Sequence, residues 1–517
     1  MPAGYIEPRK ILFHRRRVPH QTCGMNRLQE SREYSQISPR KSPRAPASFK
    51  NSWNENNEPG KKTRIIIAGG GFAGLYAAKQ LDRTLARRKE VEVTLISREN
   101  FILFTPMLHE VAAGDLAPSD IVNPLRRILR SVNVVRAEIQ AIELPTKKVR
   151  CVGGLGDVEL EFEFDHLLLA LGAETNFFDI PGVRDWAVTM KNLADAALLR
   201  NRMVALLEDA SLSKDDSTRR ELLTFVTAGG GFSGTETTGA INDFLRETTR
   251  FYPAIKPELI RTVLVHAGEH LLPELGEELG RYAERKLRDR KVEVINGALV
   301  TSYDGSVVEL SNGTSIPAAT LIWTAGAKPS PVIEGLPCQK QRGRLLVDEC
   351  LAVTGVPGLW AVGDCAAVPD GGSGFYPPTA QHGMREAIAA AKNIARAVTG
   401  EPLNPFRYNT IGMLASIGHH SGVAMLFGVK FSGFLAWWMW RSVYLAKLPS
   451  LAKKLRVMVD WTLDLFFGRE IEQTITAQAI EATAEQIGRI RARKHVTARS
   501  QESKAFTTNE TDTYAVR

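Results

Sequence analysis

The sequence predicts an α/β protein with two Rossmann-like dinucleotide-binding domains, one inserted in the other. Thr63 to Ala78 reads TRIIIAGGGFAGLYAA: a short β-branched strand, a G-x-G-x-x-G turn and the start of an amphipathic helix follow one another. The same order recurs in LLTFVTAGGGFSGTETTG, residues 222–239. The motif glycines are Gly69, Gly71 and Gly74 in the first loop and Gly229, Gly231 and Gly234 in the second. Two such loops on one chain predict two dinucleotides that meet.

Each glycine of such a motif has a physical role. The first allows a tight turn, the second lets the backbone approach a pyrophosphate, and the third lets helix and strand pack closely. The helix that follows offers free N–H groups to the phosphates, beginning with Phe72 and Ala73 in one loop and Phe232 and Ser233 in the other. A glycine-rich loop that only turns the chain is the alternative, and the flanking strands and helices disfavour it.

Length and charge limit the remaining choices. A chain of 517 residues holds two or three domains. The net charge of +9 is concentrated in residues 1–62, which carry thirteen Lys and Arg against five acids. The rest is nearly neutral, so no nucleic-acid groove is expected there. The five cysteines are scattered without C-x-x-C spacing, which predicts no zinc site, no other metal site, no disulfide framework and no redox-active dithiol.

Residues 1–60 have little hydrophobic periodicity and are rich in Arg, Ser, Pro and Asn. This composition predicts a disordered basic tail. An organelle-targeting segment is the alternative, which the five acidic residues disfavour.

In a Rossmann unit an acid usually ends the second strand and binds the ribose hydroxyls. Here Ser97 ends that strand in the first unit, with Glu99 two residues later as a substitute. His266 ends it in the second unit, followed by Glu269.

Other segments carry candidate ligand contacts. FILFTPMLHEVAAGDL, with Thr105 and His109, could cover a flat aromatic cofactor, and ordinary core packing of His109 is an equal alternative. The strand HLLLALGAETN contains a turn at Gly172. Later segments place polar residues at a strand end and a helix start: Asp364 follows the strand in GLWAVGDCA, Thr379 is the predicted helix cap, and Ala380 and Gln381 lie in the first turn.

With both glycine loops, LLLALGAETN, AVGDCA and PPTAQ in this order, the chain resembles the two-dinucleotide-fold flavoproteins. Within them it is most similar to the type II, non-proton-pumping NADH:quinone oxidoreductases, over about Thr63 to Ile471. The resemblance implies hydride transfer from NADH to FAD and two-electron transfer to a membrane quinone. It implies an FAD site at Gly69, Gly71, Phe72, Ala73, Gly74, Ser97, Glu99, Thr105, Gly172, Asp364, Thr379, Ala380 and Gln381, and an NADH site at Gly229, Gly231, Phe232, Ser233, Gly234, Glu236 and His266.

Two residues receive catalytic roles from the resemblance. Glu236 matches the acid near the nicotinamide–flavin contact, where it would shape the site and relay protons; a helix-terminal acid favoured by the dipole is the alternative. Gln381 matches the glutamine at the quinone edge of the flavin, and a solvated first-turn residue is its alternative. Arg385 stands where the family commonly has a second glutamine, and His266 leaves the choice between NADH and NADPH open.

The order of these segments predicts the domain limits. They are a basic tail (1–60), an FAD-binding domain in two parts (61–183 and 328–408), an inserted NAD(P)H-binding domain (184–327), a C-terminal membrane-association region (409–490) and a disordered tail (491–517).

The C-terminal region predicts how the chain reaches a membrane quinone. Residues 421–440 are mostly apolar, but Lys430 in the middle excludes a spanning helix. The next helix is predicted to place an apolar stripe on the membrane surface, with Lys453, Lys454 and Arg456 alongside; the stripe is Leu451, Leu455, Met458, Trp461 and Leu465. Clustered Trp437, Trp438, Trp440 and Trp461 favour this interface location.

This region predicts a peripheral protein on the cytoplasmic face of a bacterial inner membrane, or alternatively on a mitochondrial inner membrane. Packing of the stripe on the core or in a homodimer is a further alternative.

Two rival functions remain. A sulfide:quinone reductase shares the fold but needs paired cysteines near the flavin, and only Cys365 lies beside a cofactor motif. A flavoprotein resembling apoptosis-inducing factor would act through the basic tail, with salt-sensitive nucleic-acid binding and negligible quinone turnover.

Overall fold

The computed structural model describes residues 62–463 and residue 471. The predicted tails, residues 1–60 and 491–517, lie outside the described residues, as do residues 464–470 and 472–490 of the predicted membrane-association region.

The first stretch of the chain forms most of a large twisted sheet. Its elements are β1 (Thr63–Ala68), α1 (Phe72–Thr84), β2 (Val91–Ser97), β3 (Phe101–Leu103), α2 (Leu108–Ala112), β4 (Val122–Pro124), α3 (Leu125–Ile128), β5 (Asn133–Glu143), β6 (Lys148–Gly153), β7 (Val158–Glu163), β8 (His166–Leu169) and β9 (Ala173–Thr175). The central strand β1 pairs in parallel with β2 and with β8, and its residues Ile65, Ile66 and Ile67 are at most 2% exposed. Buried on both faces, such a strand is a continuous apolar run.

The second stretch forms a separate parallel sheet with an antiparallel layer beside it. Its elements are α4 (Val183–Trp186), β10 (Val188–Thr189), α5 (Leu193–Leu212), α6 (Asp216–Leu222), β11 (Thr224–Ala228), α7 (Phe232–Thr248), β12 (Arg261–His266), α8 (Glu277–Asp289), β13 (Val292–Asn296), β14 (Val300–Tyr303), β15 (Val307–Leu310), β16 (Ser315–Pro317) and β17 (Thr320–Trp323). The sheet order is β10-β17-β11-β12-β13. The antiparallel layer has the order β14-β15-β16, with positive φ at Gly305 and Gly313 in its two turns.

The third stretch returns to the first sheet. Its elements are β18 (Ala327–Pro329), α9 (Pro331–Glu334), β19 (Lys340–Gln341), β20 (Arg344–Leu346), β21 (Leu359–Ala361), β22 (Ala366–Ala367) and α10 (Ala380–Thr399). Because β21 pairs in parallel with β8, the first sheet has the order β21-β8-β1-β2-β5-β6-β7. The predicted insertion of one nucleotide-binding fold in the other is therefore confirmed. The chain passes from β17 to β18 through Gly326, whose φ is +77°.

The C-terminal stretch covers α7 and carries two helices. It comprises β23 (Gly412–Ser416), β24 (Gly422–Leu426), β25 (Val429–Gly433), α11 (Phe434–Lys447) and α12 (Leu451–Leu463). The strands form an antiparallel sheet, β23 packs on α7, and α12 packs on α11. Within the described residues, no helix has both the length and the hydropathy that a membrane crossing requires.

The prediction that the tryptophans cluster at a membrane interface is wrong for three of the four. Trp438 is 56% exposed, whereas Trp437, Trp440 and Trp461 are at most 8% exposed. Trp461 also leaves the predicted stripe, because it faces the protein, where its indole N–H donates to the buried acid Glu110. Periodicity identifies an apolar face, but it does not reveal that the indole N–H groups of Trp440 and Trp461 donate to the buried acids Glu236 and Glu110.

The predicted cationic flank of the stripe is also partly wrong. The Lys453 ammonium group binds the backbone carbonyl of Ser119 and lies 4.0 Å from Asp120, and Lys454 donates to the carbonyl of Ala446. Both lysines therefore hold α12 on the protein, and only Arg456 of the three cations is exposed.

Candidate functional site

The two glycine loops have nearly the same backbone geometry. Gly69 and Gly229 have φ angles of +105° and +111°, in the region that favours glycine. A Cβ atom on Gly74 would lie 1.7 Å from the carbonyl oxygen of Gly69, and one on Gly234 would lie 1.7 Å from that of Gly229. The first glycine thus makes the turn, and the third lets helix and strand touch.

The second glycines, Gly71 and Gly231, face open space. A Cβ atom on either would meet no atom within 4 Å. The first N–H groups of a helix have no partner inside it, and here these belong to the turns that begin at Phe72 and Ala73 in α1 and at Phe232 and Ser233 in α7. Both loops can therefore admit a pyrophosphate beside a helix N-terminus.

The two residues that replace the expected acid pack against the glycine loops. A Cβ atom on Gly70 would lie 2.3 Å from Ser97 Oγ, and Gly230 donates its backbone N–H to His266 Nδ1 at 3.2 Å. Burial lowers the pKa of His266, so its imidazole is neutral at pH 7, with the proton on Nε2. Glu99 is exposed beyond the end of β2.

The turn after β8 closes over the first loop. A Cβ atom on Gly69 would lie 2.3 Å from the carbonyl oxygen of Ala170. Two residues later, Gly172 has a φ of +67°, and its Cβ position is open to 4 Å. The predicted close approach of backbone to a ligand is therefore sterically possible at Gly172.

Asp364 lies after β21 with a second carboxylate near it. Burial raises the pKa of Asp364, and the cations Lys191 and Arg344 oppose that rise. Glu386, on the buried face of α10, accepts a hydrogen bond from the Gly363 N–H at 2.7 Å. Burial, reinforced by Asp364, raises the pKa of Glu386 to about 7. The sequence analysis missed Glu386; an acid in register with the buried alanines of α10 was the available signal.

The start of α10 has the predicted cap. The Thr379 side chain accepts from the His382 N–H at 3.4 Å, and Ala380 and Gln381 form the first turn. The Nε2 atom of Gln381 is buried and has no hydrogen-bond partner in the part of the chain that the structure describes. A buried amide donor without a partner fits a position that faces a ligand.

A cavity of about 490 Å³ lies where the two nucleotide-binding folds and the C-terminal stretch meet. Among its lining residues are Thr105, His109, Phe232, Ser233, Glu236 and Tyr444. The structure therefore brings Thr105, from the first fold, to the α7 residues predicted for the second dinucleotide. Gln381 and Asp364 are not among the lining residues, whereas Lys191, which the sequence analysis missed, is.

Glu236 is the buried acid of this cavity. Its Oε1 atom accepts two hydrogen bonds from the C-terminal stretch: one from the Ser416 N–H at 3.1 Å and one from the Trp440 indole N–H at 3.0 Å. Burial raises the pKa of Glu236 to about 8, and the two hydrogen bonds oppose that rise. The nearby acid Glu110 contributes to it. Glu236 is therefore mostly protonated at pH 7.

His109 faces Glu236 across 3.9 Å, from Nδ1 to Oε2. Burial lowers the pKa of His109 to about 4, against the influence of Asp115. Since burial favours the neutral form of both groups, their contact at pH 7 joins two uncharged side chains and is not an ion pair. Its other nitrogen, Nε2, is buried without a hydrogen-bond partner among the described residues.

The cysteines of the described residues are free thiols. Cys365 is fully buried, its Sγ lies 3.3 Å from the Val362 carbonyl oxygen, and burial raises its pKa to about 12. A protonated, buried thiol is a poor electron relay. This geometry disfavours the sulfide:quinone reductase alternative.

Comparison with known families identifies the class of protein. Residues 63–393 match the model of the pyridine nucleotide-disulphide oxidoreductases, and residues 411–470 match the model of the NDH2 C-terminal domain. The first match covers more than half of the chain. The protein is thus an oxidoreductase of the two-dinucleotide-fold class.

Relatives narrow the class. The chain is 34% identical to the type II NADH:quinone oxidoreductase NdhA of Mycobacterium tuberculosis over 450 residues, which cover 83% of this chain and 93% of that protein. It is 31% identical to the type II NADH:quinone oxidoreductase of Staphylococcus aureus over 72% of this chain and 92% of that one. The chain belongs to the type II NADH:quinone oxidoreductases.

A solved structure, NDH2 from Plasmodium falciparum in complex with NADH, shares the fold. Its TM-score is 0.75 at 22% identity, over 80% of this chain and 100% of that chain. As a family member, this protein transfers electrons from NADH through FAD to a quinone without proton pumping. The first glycine loop, the open position at Gly172 and the partnerless Gln381 amide fit an FAD cofactor.

Proposed function

We propose that NADH binds on the second glycine loop with its nicotinamide in the cavity beside Glu236, facing FAD held on the first loop. FAD, when bound, would accept the hydride of NADH and pass two electrons on to the quinone. The loops hold the two pyrophosphates at the N-termini of α1 and α7, and Asp364 accepts hydrogen bonds from hydroxyl groups of the flavin side chain. The observation that carries the proposal is the buried Glu236 at the junction of both folds.

The proposed role of Glu236 is electrostatic. Loss of hydride leaves the nicotinamide ring with a positive charge, which a carboxylate in a buried cavity stabilises. Because the pKa of Glu236 is about 8, this stabilisation grows as the pH rises through that value. Below it, the acid is neutral, and its Oε2 atom lies 3.9 Å from His109 Nδ1.

The test is anaerobic bleaching of the flavin band by NADH at about pH 6 and about pH 9. We expect wild-type bleaching to accelerate between these values and the Glu236→Gln variant, which mimics the neutral acid, to stay at the slow rate. Glu247→Gln is the matched control, because Glu247 is on the same helix and pairs with Arg250 at its far end. Equal pH profiles for wild type and Glu236→Gln would remove the proposed role of Glu236.

We propose further that Gln381 donates its partnerless Nε2–H to a quinone oxygen. A Gln381→Leu variant should bleach with NADH at the wild-type rate. Its colour should return about tenfold more slowly on adding a short-chain quinone, as the loss of one hydrogen bond implies. Unchanged reoxidation would contradict this assignment.

The C-terminal stretch is the proposed membrane attachment. Its large apolar side chains are unusually exposed: Phe427, Val429, Phe434, Leu435, Trp438, Leu451, Leu455, Met458, Val459 and Leu463. Leu451, Leu455, Met458 and Val459 share one face of α12, and each side chain contributes about 1.5–3 kcal/mol when fully transferred from water. We place this face on the cytoplasmic side of a bacterial inner membrane, where NADH is available.

Flotation with phosphatidylglycerol-containing vesicles tests the attachment. The double variant Leu455→Asp, Met458→Asp should stay in solution, while Leu212→Asp, at a leucine of α5 that is more exposed than either, should float with the vesicles. Flotation of the double variant contradicts membrane attachment through α12. A wild-type dimer that the double variant converts to monomer would instead identify this face as a homodimer contact.

A further inference from the structure

We propose that the C-terminal stretch forms part of the nicotinamide site, because Trp440 of α11 is a positioning residue that holds Glu236 and favours its carboxylate form. The inference rests on the proposed role of Glu236. It gives the helices that face the membrane a second role in the first half of the reaction, besides access to the quinone.

The contact between Trp440 and Glu236 is buried and direct. The indole N–H of Trp440 donates to Glu236 Oε1 at 3.0 Å, Trp440 is fully buried, and Glu236 is 8% exposed. A hydrogen bond in such surroundings is stronger than in water, and one to a charged acceptor is stronger still. Phenylalanine at this position would retain a large aromatic ring and lose the donor.

A second indole repeats the arrangement one helix later. Trp461 of α12 donates its N–H to Glu110 Oε2 at 3.1 Å, and Glu110 is 5% exposed. The guanidinium carbon of Arg441 lies 4.4 Å from the centroid of the Trp461 ring and 4.3 Å from that of Trp437, so it joins α12 to α11. Each C-terminal helix therefore places one indole donor on one buried acid near the cavity.

The same helices turn their other faces outward. Leu435 and Trp438 of α11 are more than half exposed, only a few residues from Trp440. Side chains of one helix thus reach both the proposed membrane face and the acid of the nicotinamide site.

The groups around Glu236 act in opposite directions. Trp440 and the Ser416 N–H favour its charged form, whereas burial and the charge of Glu110 oppose it. His109, at 3.9 Å, is neutral at pH 7. Removing the Trp440 donor should therefore move the ionisation of Glu236 to higher pH. Removing the Trp461 donor leaves both hydrogen bonds to Glu236 in place.

Binding of NAD⁺ to the FAD-loaded enzyme measures this ionisation without turnover. NAD⁺ carries a positive nicotinamide ring, so its affinity should rise with pH around a midpoint near 8. We expect Trp440→Phe to raise the midpoint by about one pH unit or more, the amount a hydrogen bond to a charged group represents. Trp461→Phe removes a donor from Glu110 and none from Glu236, so it should not raise the midpoint, and Trp438→Phe, on the exposed face of α11, should leave it unchanged.

The outcomes separate the inference from the function on which it rests. If Glu236→Gln keeps the wild-type midpoint, Glu236 does not control the nicotinamide site and the proposed function of this residue fails. If Glu236→Gln abolishes the rise of NAD⁺ affinity with pH while Trp440→Phe leaves the midpoint unchanged, only the inference is overturned. Upward shifts of the same size in Trp440→Phe and Trp461→Phe would indicate general loosening and also overturn it.

Discussion

The two glycine loops are the same backbone device in two different settings. Gly69 and Gly229 have φ angles within about 6° of each other, and the contacts expected at Gly74 and Gly234 agree to 0.1 Å. What differs is the structure around each loop. This comparison separates what the backbone does, which is to admit a pyrophosphate, from what the surrounding side chains do.

The first loop is braced by an acid and the second by a hydroxyl group. Glu386 of α10 accepts a hydrogen bond from the Gly363 N–H. Gly363 lies close to α1, because a Cβ atom on it would be 3.4 Å from the Cβ atom of Ala73. In the second fold, Thr324 Oγ1 donates to the carbonyl of Ala228 at 2.8 Å. The C-terminal stretch covers α7, whereas α10 covers α1. The first setting would hold the FAD cofactor, and the second would hold NADH, which must leave after each reaction.

The largest expected effect comes from the third glycine. In Gly74→Ala the methyl group would overlap the Gly69 carbonyl oxygen, so strand and helix must separate, at a cost of about 1–3 kcal/mol or more. We expect a destabilised, colourless protein. Gly234→Ala creates the same overlap in the second loop and should give a yellow protein that NADH does not bleach. Absorbance and thermal unfolding distinguish the two variants.

Gly71→Ala sharpens this comparison. Its methyl group would enter open space, and Gly71 has a φ of −73° that alanine adopts readily. The free energy of unfolding of the apoprotein should therefore differ from that of the wild type by no more than about 1 kcal/mol. Its FAD affinity should nevertheless fall, because the methyl group occupies the approach to the pyrophosphate. A Gly71→Ala protein with wild-type FAD affinity would show that the phosphate lies elsewhere.

These local features are the ones that sequence predicts well. The strand, turn and helix around each glycine loop lie within about twenty residues, and their spacing predicts the contacts. The cover of Glu236 does not follow from such spacing, because Ser416 and Trp440 lie 180 and 204 positions away in the chain. Trp461 was assigned to the membrane for the same reason: its partner Glu110 is 351 positions away.

A smaller effect is expected at the two braces. Glu386→Leu leaves the Gly363 N–H without its acceptor, which costs about 1–3 kcal/mol and should weaken FAD binding about fivefold to 150-fold. Thr324→Val removes a hydroxyl that donates to a carbonyl in the second fold and should weaken NADH binding by less. Fluorescence titration with FAD and with NADH compares them. Equal losses of both ligands in both variants would contradict separate braces.

Glu386→Gln is the control, because its amide oxygen retains an acceptor for Gly363. The raised pKa of Glu386 also predicts that the stability of the protein depends on pH. Burial raises the pKa of Glu386 from 4.5 to about 7, so between these values the native state keeps a proton that the unfolded chain has lost. The stability of the wild type relative to Glu386→Gln should therefore fall as the pH rises from 4.5 to about 7. Denaturant unfolding at several pH values measures this trend.

The smallest effect is expected where the two loops differ by one side chain, at Ser97 and His266. A neutral His266 does not repel the 2′-phosphate of NADPH, whereas an aspartate there would do so and would bind the ribose hydroxyls of NADH. His266→Asp still offers an acceptor to the Gly230 N–H, so the loop should remain folded. We expect the ratio of kcat/KM for NADH over NADPH to rise about tenfold, with unchanged FAD content. If the ratio stays constant while NADH binding weakens, the role of His266 is to hold the glycine loop through Gly230, and this residue at the end of β12 does not determine the preference for NADH over NADPH.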